Sequence, residues 1–523
     1  MIDYLISGGT VIDGSGGPPK ALNVGIRDAR IVYVRSQATE ARQIIDARGL
    51  TVAPGFIDTH THSEFTLLAD GRAEGRVCQG VTTEINGNCG LSAAPLLGEA
   101  REHREESLRE LGIQERWSSF SEYFALLEAR GISINCATLC GHGNLRASVI
   151  GYRDRNADAE ERSRMKVLLN QALSEGARGL STGLIYPPGV FSRTDELVEL
   201  ARVLPRQDAR GLYASHMRSE GDGLFDAIDE VLSIAREGSV RVHISHLKTA
   251  GEKNWHKIDR AIGMIQEARH KGMGLTCDRY PYIASSSDLD SLLPARLFDG
   301  GTDEEMRRLK DPSQRRRIAA EIGHRDERYW QGVVVSSVTR PENKWMEGKS
   351  LAMIAAEQGR PAVDALFDIL IAERSRAGAI FFTMNEDNLR RILSLPFTMI
   401  GSDSSVRSSS GVTMTGKPHP RGFGTFPRFL GKYVREEGLV TLPEAVRKMT
   451  ALPAATFGLH DRGLIKEGFF ADLTVFDSGR VSDRATFEDP FLSPVGITHV
   501  FVNGAMTVRD GSYLGTRKGM VLR

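Results

Sequence analysis

Two histidines one residue apart close the segment Gly55-Phe56-Ile57-Asp58-Thr59-His60-Thr61-His62. If residues 51–62 run as a β-strand, the rings of His60 and His62 project from one face, because strand side chains alternate with period 2. Neutral imidazole binds Zn²⁺ at about 2.0–2.1 Å, so such a pair can share one cation. His-x-His is common, but donors of the right type recur downstream. Asn86-Gly87-Asn88-Cys89-Gly90 offers a thiol, which as thiolate binds Zn²⁺ at about 2.3 Å; a buried, unreactive cysteine is the competing reading. Tyr213-Ala214-Ser215-His216 ends in a third imidazole, and Val242-His243-Ile244-Ser245-His246-Leu247-Lys248 carries two more. On a straight strand His243 and His246 face opposite ways, so one of them enters the interior, and His246 lies nearer the C-terminal end. Met399-Ile400-Gly401-Ser402-Asp403 adds a carboxylate. These residue types serve metal-dependent hydrolysis.

Positioning them requires a scaffold that gathers strand ends. Strands are predicted at residues 52–60, 81–88, 132–140, 179–184, 211–216, 240–247, 274–282 and 397–403, with helical stretches such as 157–175 and 257–270 between several of them. Eight strands alternating with helices predict an α/β chain with a TIM-like (β/α)₈ metallo-barrel, whose chemistry belongs at the C-terminal strand ends. Every donor above falls at such an end. The first fifty residues read instead as short strands around a Gly8-Gly9 turn, and residues 499–508 repeat that grammar around Asn503-Gly504. A small β-sandwich domain built from both termini (1–54 and 460–523) is therefore expected to flank a barrel at 55–459. The charged stretch 288–331 interrupts the alternation and is expected to form a lid-like inserted subdomain.

Composition narrows the partners. The 523 residues carry 67 basic and 67 acidic side chains, so no net field favours nucleic acid or an anionic membrane. The run Arg315-Arg316-Arg317 lies among acids and reads as a solvated helix face. No segment reaches about 18 consecutive apolar residues, so no membrane span is expected. Met1-Ile2-Asp3-Tyr4-Leu5-Ile6 reads as a strand, not a signal peptide, and five cysteines make no disulfide framework. A cytoplasmic protein with a small-molecule substrate is expected; the oligomeric state is left open. Cys136, Cys140 and His142 could form a second metal cluster, but a buried packing role suits them better. Gly179–Gly189 lacks a phosphate-loop lysine.

The motifs Phe-Ile-Asp-Thr-His-Thr-His, Gly-Asn-Cys-Gly, Ser-His-Met-Arg, Ser-His-Leu-Lys and Ser-Asp resemble the amidohydrolase superfamily. More closely, the chain resembles its D-aminoacylase branch, the N-acyl-D-amino-acid deacylases. Residues 179–189, Asp278-Arg279-Tyr280-Pro281-Tyr282 and His419-Pro420-Arg421 match that branch, and the resemblance runs from Met1 to about Val508. It implies that Cys89, His216 and His246 hold a tight Zn²⁺ and that His60 and His62 serve a second, weaker metal position. It further implies that Asp403 is the catalytic carboxylate and that Lys248, Tyr280 and Arg421 grip the substrate's carboxylate. The implied reaction is hydrolysis of N-acyl-D-amino acids. The preference for D configuration comes from the resemblance alone. The span from Asp403 to Arg421, through Ser404 to Lys417, can be shorter in relatives, which bears on side-chain selectivity. The alternative is a cyclic-amide hydrolase of the hydantoinase or dihydroorotase kind. Those enzymes usually bridge two metals with a modified lysine on a middle strand, and residues 179–184 contain none.

Overall fold

The computed structural model describes residues 1–205, 211–323 and 325–523. Eight parallel strands form its centre: β1 (Phe56–Asp58), β2 (Val81–Asn86), β3 (Asn135–Thr138), β4 (Gly179–Gly183), β5 (Leu212–His216), β6 (Arg241–Ile244), β7 (Leu275–Arg279) and β8 (Thr398–Ile400). β1, β2 and β3 pair in parallel. Cys140–Gly141 continues β3 into β4, and pairing then proceeds through β5, β6 and β7 to β8. The ring closes between β8 and β1, where the Thr59 hydroxyl donates to the Ile400 carbonyl at 3.1 Å and the Asp403 amide donates to the His60 carbonyl at 2.7 Å. This is the (β/α)₈ barrel.

Alternation along the strands explains the two cores. Ile57, Ile85, Ala137, Ala214 and Met399 pack inside the barrel with Phe457 and Leu459. Their neighbours Phe56, Tyr213 and Ile400 face outward against the helices. Both faces are buried, and the strands carry polar side chains such as Glu84, Thr182 and Asp278 within that burial.

The predicted strand 52–60 is two strands belonging to two sheets. Thr51–Pro54 joins a seven-stranded sheet that also contains Thr10–Val11, Leu473–Phe476 and Ile497–Val502. β1 begins only at Phe56 and ends at Asp58, so His60 and His62 stand on the loop beyond it. Gly55 marks the break because a Cβ there would lie 2.2 Å from the Thr82 hydroxyl oxygen. A four-stranded sheet, ordered Arg30–Arg35, Asn23–Arg27, Ile2–Ser7, Ala41–Asp46, faces the seven-stranded one. Ile6, Val24, Ile26, Val52, Leu473 and Phe501 fill the space between the two sheets.

Between β7 and β8 the chain builds a three-stranded antiparallel sheet in which Gly378–Phe382 lies between Ala284–Asp288 and Val333–Ser337. Its apolar cluster runs from Leu289 to Phe381 and includes Phe191 of the barrel. The packed unit around residues 288–331 thus reaches about fifty residues further than charge patterning alone indicates, because the strand that completes its sheet comes after two more helices. Among the described residues no helix is long and apolar enough to cross a membrane.

Candidate active site and metal centre

The C-terminal ends of β1, β2, β5, β6, β7 and β8 converge on one buried cluster. The Nε2 of His60 lies 3.2 Å from the Cys89 sulfur, and the Nε2 of His246 lies 3.4 Å from it on another side. Asp403 Oδ1 is 3.2 Å from His62 Nε2 and 3.5 Å from His60 Nε2. Three donor sets have their atoms within 4.8 Å of one another: His60–Cys89–His246, His60–His62–Asp403, and His216–Glu220–His246. Cys89, His216 and His246 are therefore distributed over two sets that share His246, whose ring centroid is 4.4 Å from that of His216. His243 points elsewhere: its nitrogens lie 2.9 Å from the Thr276 hydroxyl and 2.7 Å from Asp278 Oδ2.

Three residues of this cluster carry backbone strain. Cys89, His246 and Asp403 adopt left-handed conformations, with φ of 52°, 35° and 52°. Each costs about 1–3 kcal/mol for a residue with a Cβ and persists only where the surroundings enforce it. Here each residue follows shortly after a barrel strand and turns its side chain back over the barrel mouth. Asp278 secures one of these turns. Its Oδ1 accepts from the His246 amide at 2.9 Å, while Oδ2 lies 3.0 Å from His60 Nδ1.

The carboxylate-binding candidates lie on the far side of Asp403. Arg421 Nη1 meets Asp403 Oδ2 at 2.9 Å, and its guanidinium sits 4.6 Å above the Tyr280 ring. The Tyr280 hydroxyl is buried without a hydrogen-bond partner among the described residues. Burial pushes that phenol's pKa up, but Lys248, Arg279 and Arg421 outweigh it and hold the pKa below its ordinary value. Lys248 is buried as well, with Nζ 2.5 Å from Glu220 Oε1 and 2.8 Å from His246 Nδ1. The strand Ala284–Asp288 walls this pocket. Ser286 accepts at its carbonyl from Arg421 Nη2 at 3.3 Å, and the Ser287 hydroxyl lies 3.1 Å from that of Tyr186.

The amidohydrolase family matches residues 43–508. This chain belongs to the amidohydrolase family. It is 37% identical to the D-aminoacylase of Alcaligenes xylosoxydans xylosoxydans, covering 99% of this chain and 97% of that one. It is 40% identical to the N-acyl-D-glutamate deacylase of the same organism, covering 100% and 96%. Among solved structures it resembles the N-acyl-D-glutamate deacylase of Bordetella bronchiseptica, complexed with zinc and a phosphonate inhibitor that mimics the reaction's tetrahedral intermediate. The TM-score is 0.85 at 36% identity, covering 100% of this chain and 99% of that one.

The donor chemistry of this amidohydrolase fits a zinc ion. Both ring nitrogens of His216 are buried without a hydrogen-bond partner among the described residues, an arrangement costly for imidazole unless a cation satisfies it. Burial alone would raise the Cys89 pKa, but His60 and His246 outweigh it and hold the thiol well below its ordinary value, favouring the thiolate that zinc requires. Burial likewise works against ionised Asp403, and Arg421 with His62 overcomes it. Glu220 and Asp278 are the site residues that strand-end reasoning misses. Glu220 lies on a loop four residues past His216, and Asp278 precedes the tyrosines that drew attention to its segment. Glu220 follows a strand already suspected of carrying a donor, whereas Asp278 lies within the strand Leu275–Arg279, beside a motif singled out for its tyrosines. Cys136 and His142 do not meet: the sulfur of Cys136 accepts from the Asn86 side-chain amide, and His142 Nε2 lies 2.8 Å from Glu196 Oε1.

Proposed function

We propose that this amidohydrolase is a zinc-dependent N-acyl-D-amino-acid deacylase, cleaving its substrate to a carboxylate and a free D-amino acid. The position of Asp403 carries the reading. One of its oxygens faces the donor cluster at His62 and the other meets Arg421, so a single acid stands between the metal donors and a cationic pocket. The scissile amide of an N-acyl amino acid lies at a fixed short distance from its carboxylate and can bridge those two features. End-to-end similarity to deacylases that act on D-configured substrates supports the handedness.

Cys89, His216 and His246 would hold the tight zinc, with His60 and His62 serving a weaker second position. When bound, zinc lowers the pKa of water to about 7 and polarises a carbonyl. Arg421, Tyr280 and Lys248 hold the substrate's carboxylate; the guanidinium offers two parallel donors, the lysine a point charge and the phenol one hydrogen bond. That grip orients the amide beside Asp403 and discriminates against amides without a carboxylate. Asp403 accepts the proton of the attacking water and delivers it to the amide nitrogen as the C–N bond breaks and the new C–O bond remains. Residues 288–331 act as part of a lid, since the strand feeding into them forms a wall of the pocket. Residues 1–54 and 460–523 make up the small β domain and 55–459 the catalytic barrel. Five free, buried cysteines suit a reducing cytoplasm.

The test combines zinc content with product release. N-acetyl-D-methionine should yield D-methionine in the zinc-loaded protein, while N-acetyl-L-methionine and hydantoin should remain intact. Hydantoin opening without deacylation would replace this reading by the cyclic-amide one.

A further inference from the structure

Glu220 occupies a position that none of the roles above uses. It lies on the loop after β5, four residues past His216, with its side chain 13% exposed. Its Oε1 approaches two groups at once, His246 Nδ1 at 2.9 Å and Lys248 Nζ at 2.5 Å, and its Oε2 faces His216 Nε2 at 3.8 Å. The backbone reinforces this placement, because the Ala250 amide donates to the Glu220 carbonyl at 2.7 Å and ties the loop to the segment following β6.

Although Glu220, His216 and His246 cluster as metal donors would, the lysine argues against coordination by Glu220. The Lys248 ammonium already lies 2.5 Å from Oε1, and a second cation bound to the same carboxylate would be repelled by it. The histidine points to a different use. His246 directs Nε2 toward the Cys89 sulfur, so a neutral ring available to a cation at Nε2 must carry its proton on Nδ1. An ammonium has no lone pair and cannot accept that proton's hydrogen bond. Glu220 Oε1 can.

We infer that Glu220 is a positioning residue shared by the metal centre and the substrate clamp. It fixes the His246 tautomer and ring orientation, and with the same oxygen it keeps the Lys248 ammonium at the pocket wall. Histidine ligands are commonly oriented by a carboxylate behind them, and losing that partner typically lowers metal affinity 10–100-fold. What is particular here is the second duty: one oxygen serves both a ligand and a substrate-binding cation, so one substitution should disturb both.

This inference rests on the deacylase reading, and the experiment separates the two. Glu220→Gln and Glu220→Asp are compared with the wild type in three measurements: zinc retained during dialysis against a chelator, KM and kcat for N-acetyl-D-methionine, and the melting temperature of the zinc-free protein. Glu220→Gln should lower zinc affinity about tenfold or more and raise KM several-fold, and the zinc-free melting temperature should fall as well because Lys248 loses its buried partner. Glu220→Asp keeps the charge on a shorter arm and should recover part of each loss. Wild-type zinc retention and KM in Glu220→Gln would overturn the inference alone. So would a lowered zinc-free melting temperature with zinc retention unchanged, which would make the residue merely structural. A wild-type protein that binds no zinc or releases no D-methionine overturns the deacylase reading, and the inference falls with it.

Discussion

Asp403 shows what one side chain must endure to be useful. It sits in left-handed backbone, it is buried, and two ionic neighbours hold it ionised. Asparagine preserves its shape and removes its basicity. Asp403→Asn should therefore reduce kcat by roughly 100-fold or more while zinc content stays at the wild-type level. Near-normal turnover in that variant would free Asp403 of its assigned duty. Arg421 makes a complementary prediction, because its charge is spent on the substrate and on Asp403. Arg421→Ala should raise KM for N-acetyl-D-methionine much more than it alters the KM of an uncharged N-acyl amide; an equal change for both substrates would contradict the clamp.

At the scale of elements, the short strands matter because of where they stop. β4 ends at Gly183, and a Cβ there would stand 2.0 Å from the Cys89 carbonyl oxygen. Gly183→Ala must push the β2 loop outward, and the expected result is loss of zinc affinity without loss of the barrel's circular-dichroism signature. A second element-scale device lies beneath β4. Glu196, on the helix Thr194–Ala201, receives Arg146 Nη1 at 2.6 Å and lies beside His142, both on the helix His142–Val149. Burial raises the Glu196 pKa, but His142 and Arg146 outweigh it, so the folded value lies below the ordinary 4.5. A carboxylate depressed by folding adds stability that is fully present above that ordinary value and is lost as pH falls through the folded one. Glu196→Gln should cost about 3–5 kcal/mol at neutral pH by leaving a buried charge uncompensated. It should also flatten the decline of stability below about pH 4.5; urea titrations at several pH values check both.

The whole molecule is arranged so that its least local parts close the site. The strand Ala284–Asp288 supplies carbonyls to Arg421 and His419, and its antiparallel partner Gly378–Phe382 arrives almost a hundred residues later. A phosphonate analogue bound beside Asp403 should slow amide hydrogen exchange across 288–331 and leave the seven-stranded terminal sheet unchanged. Uniform protection, or none in that segment, would count against a lid. Distant pairing also explains the terminal strands. Leu473–Phe476 binds Thr51–Pro54 directly, immediately before the chain enters β1.

Residue type and strand ending were legible without coordinates. His60, His62, Cys89, His216, His246 and Asp403 each stand at or just beyond the end of a predicted strand, and eight such strands alternating with helices favour a (β/α)₈ barrel. Local chemistry is written locally. The division of residues 52–60 between two sheets, the extent of the unit around 288–331, and the meeting of Glu220 with His246 and Lys248 were decided only by the tertiary structure. Each depends on contacts between residues far apart along the chain, and no periodicity or spacing records which side chains long loops will bring within 3 Å of one another.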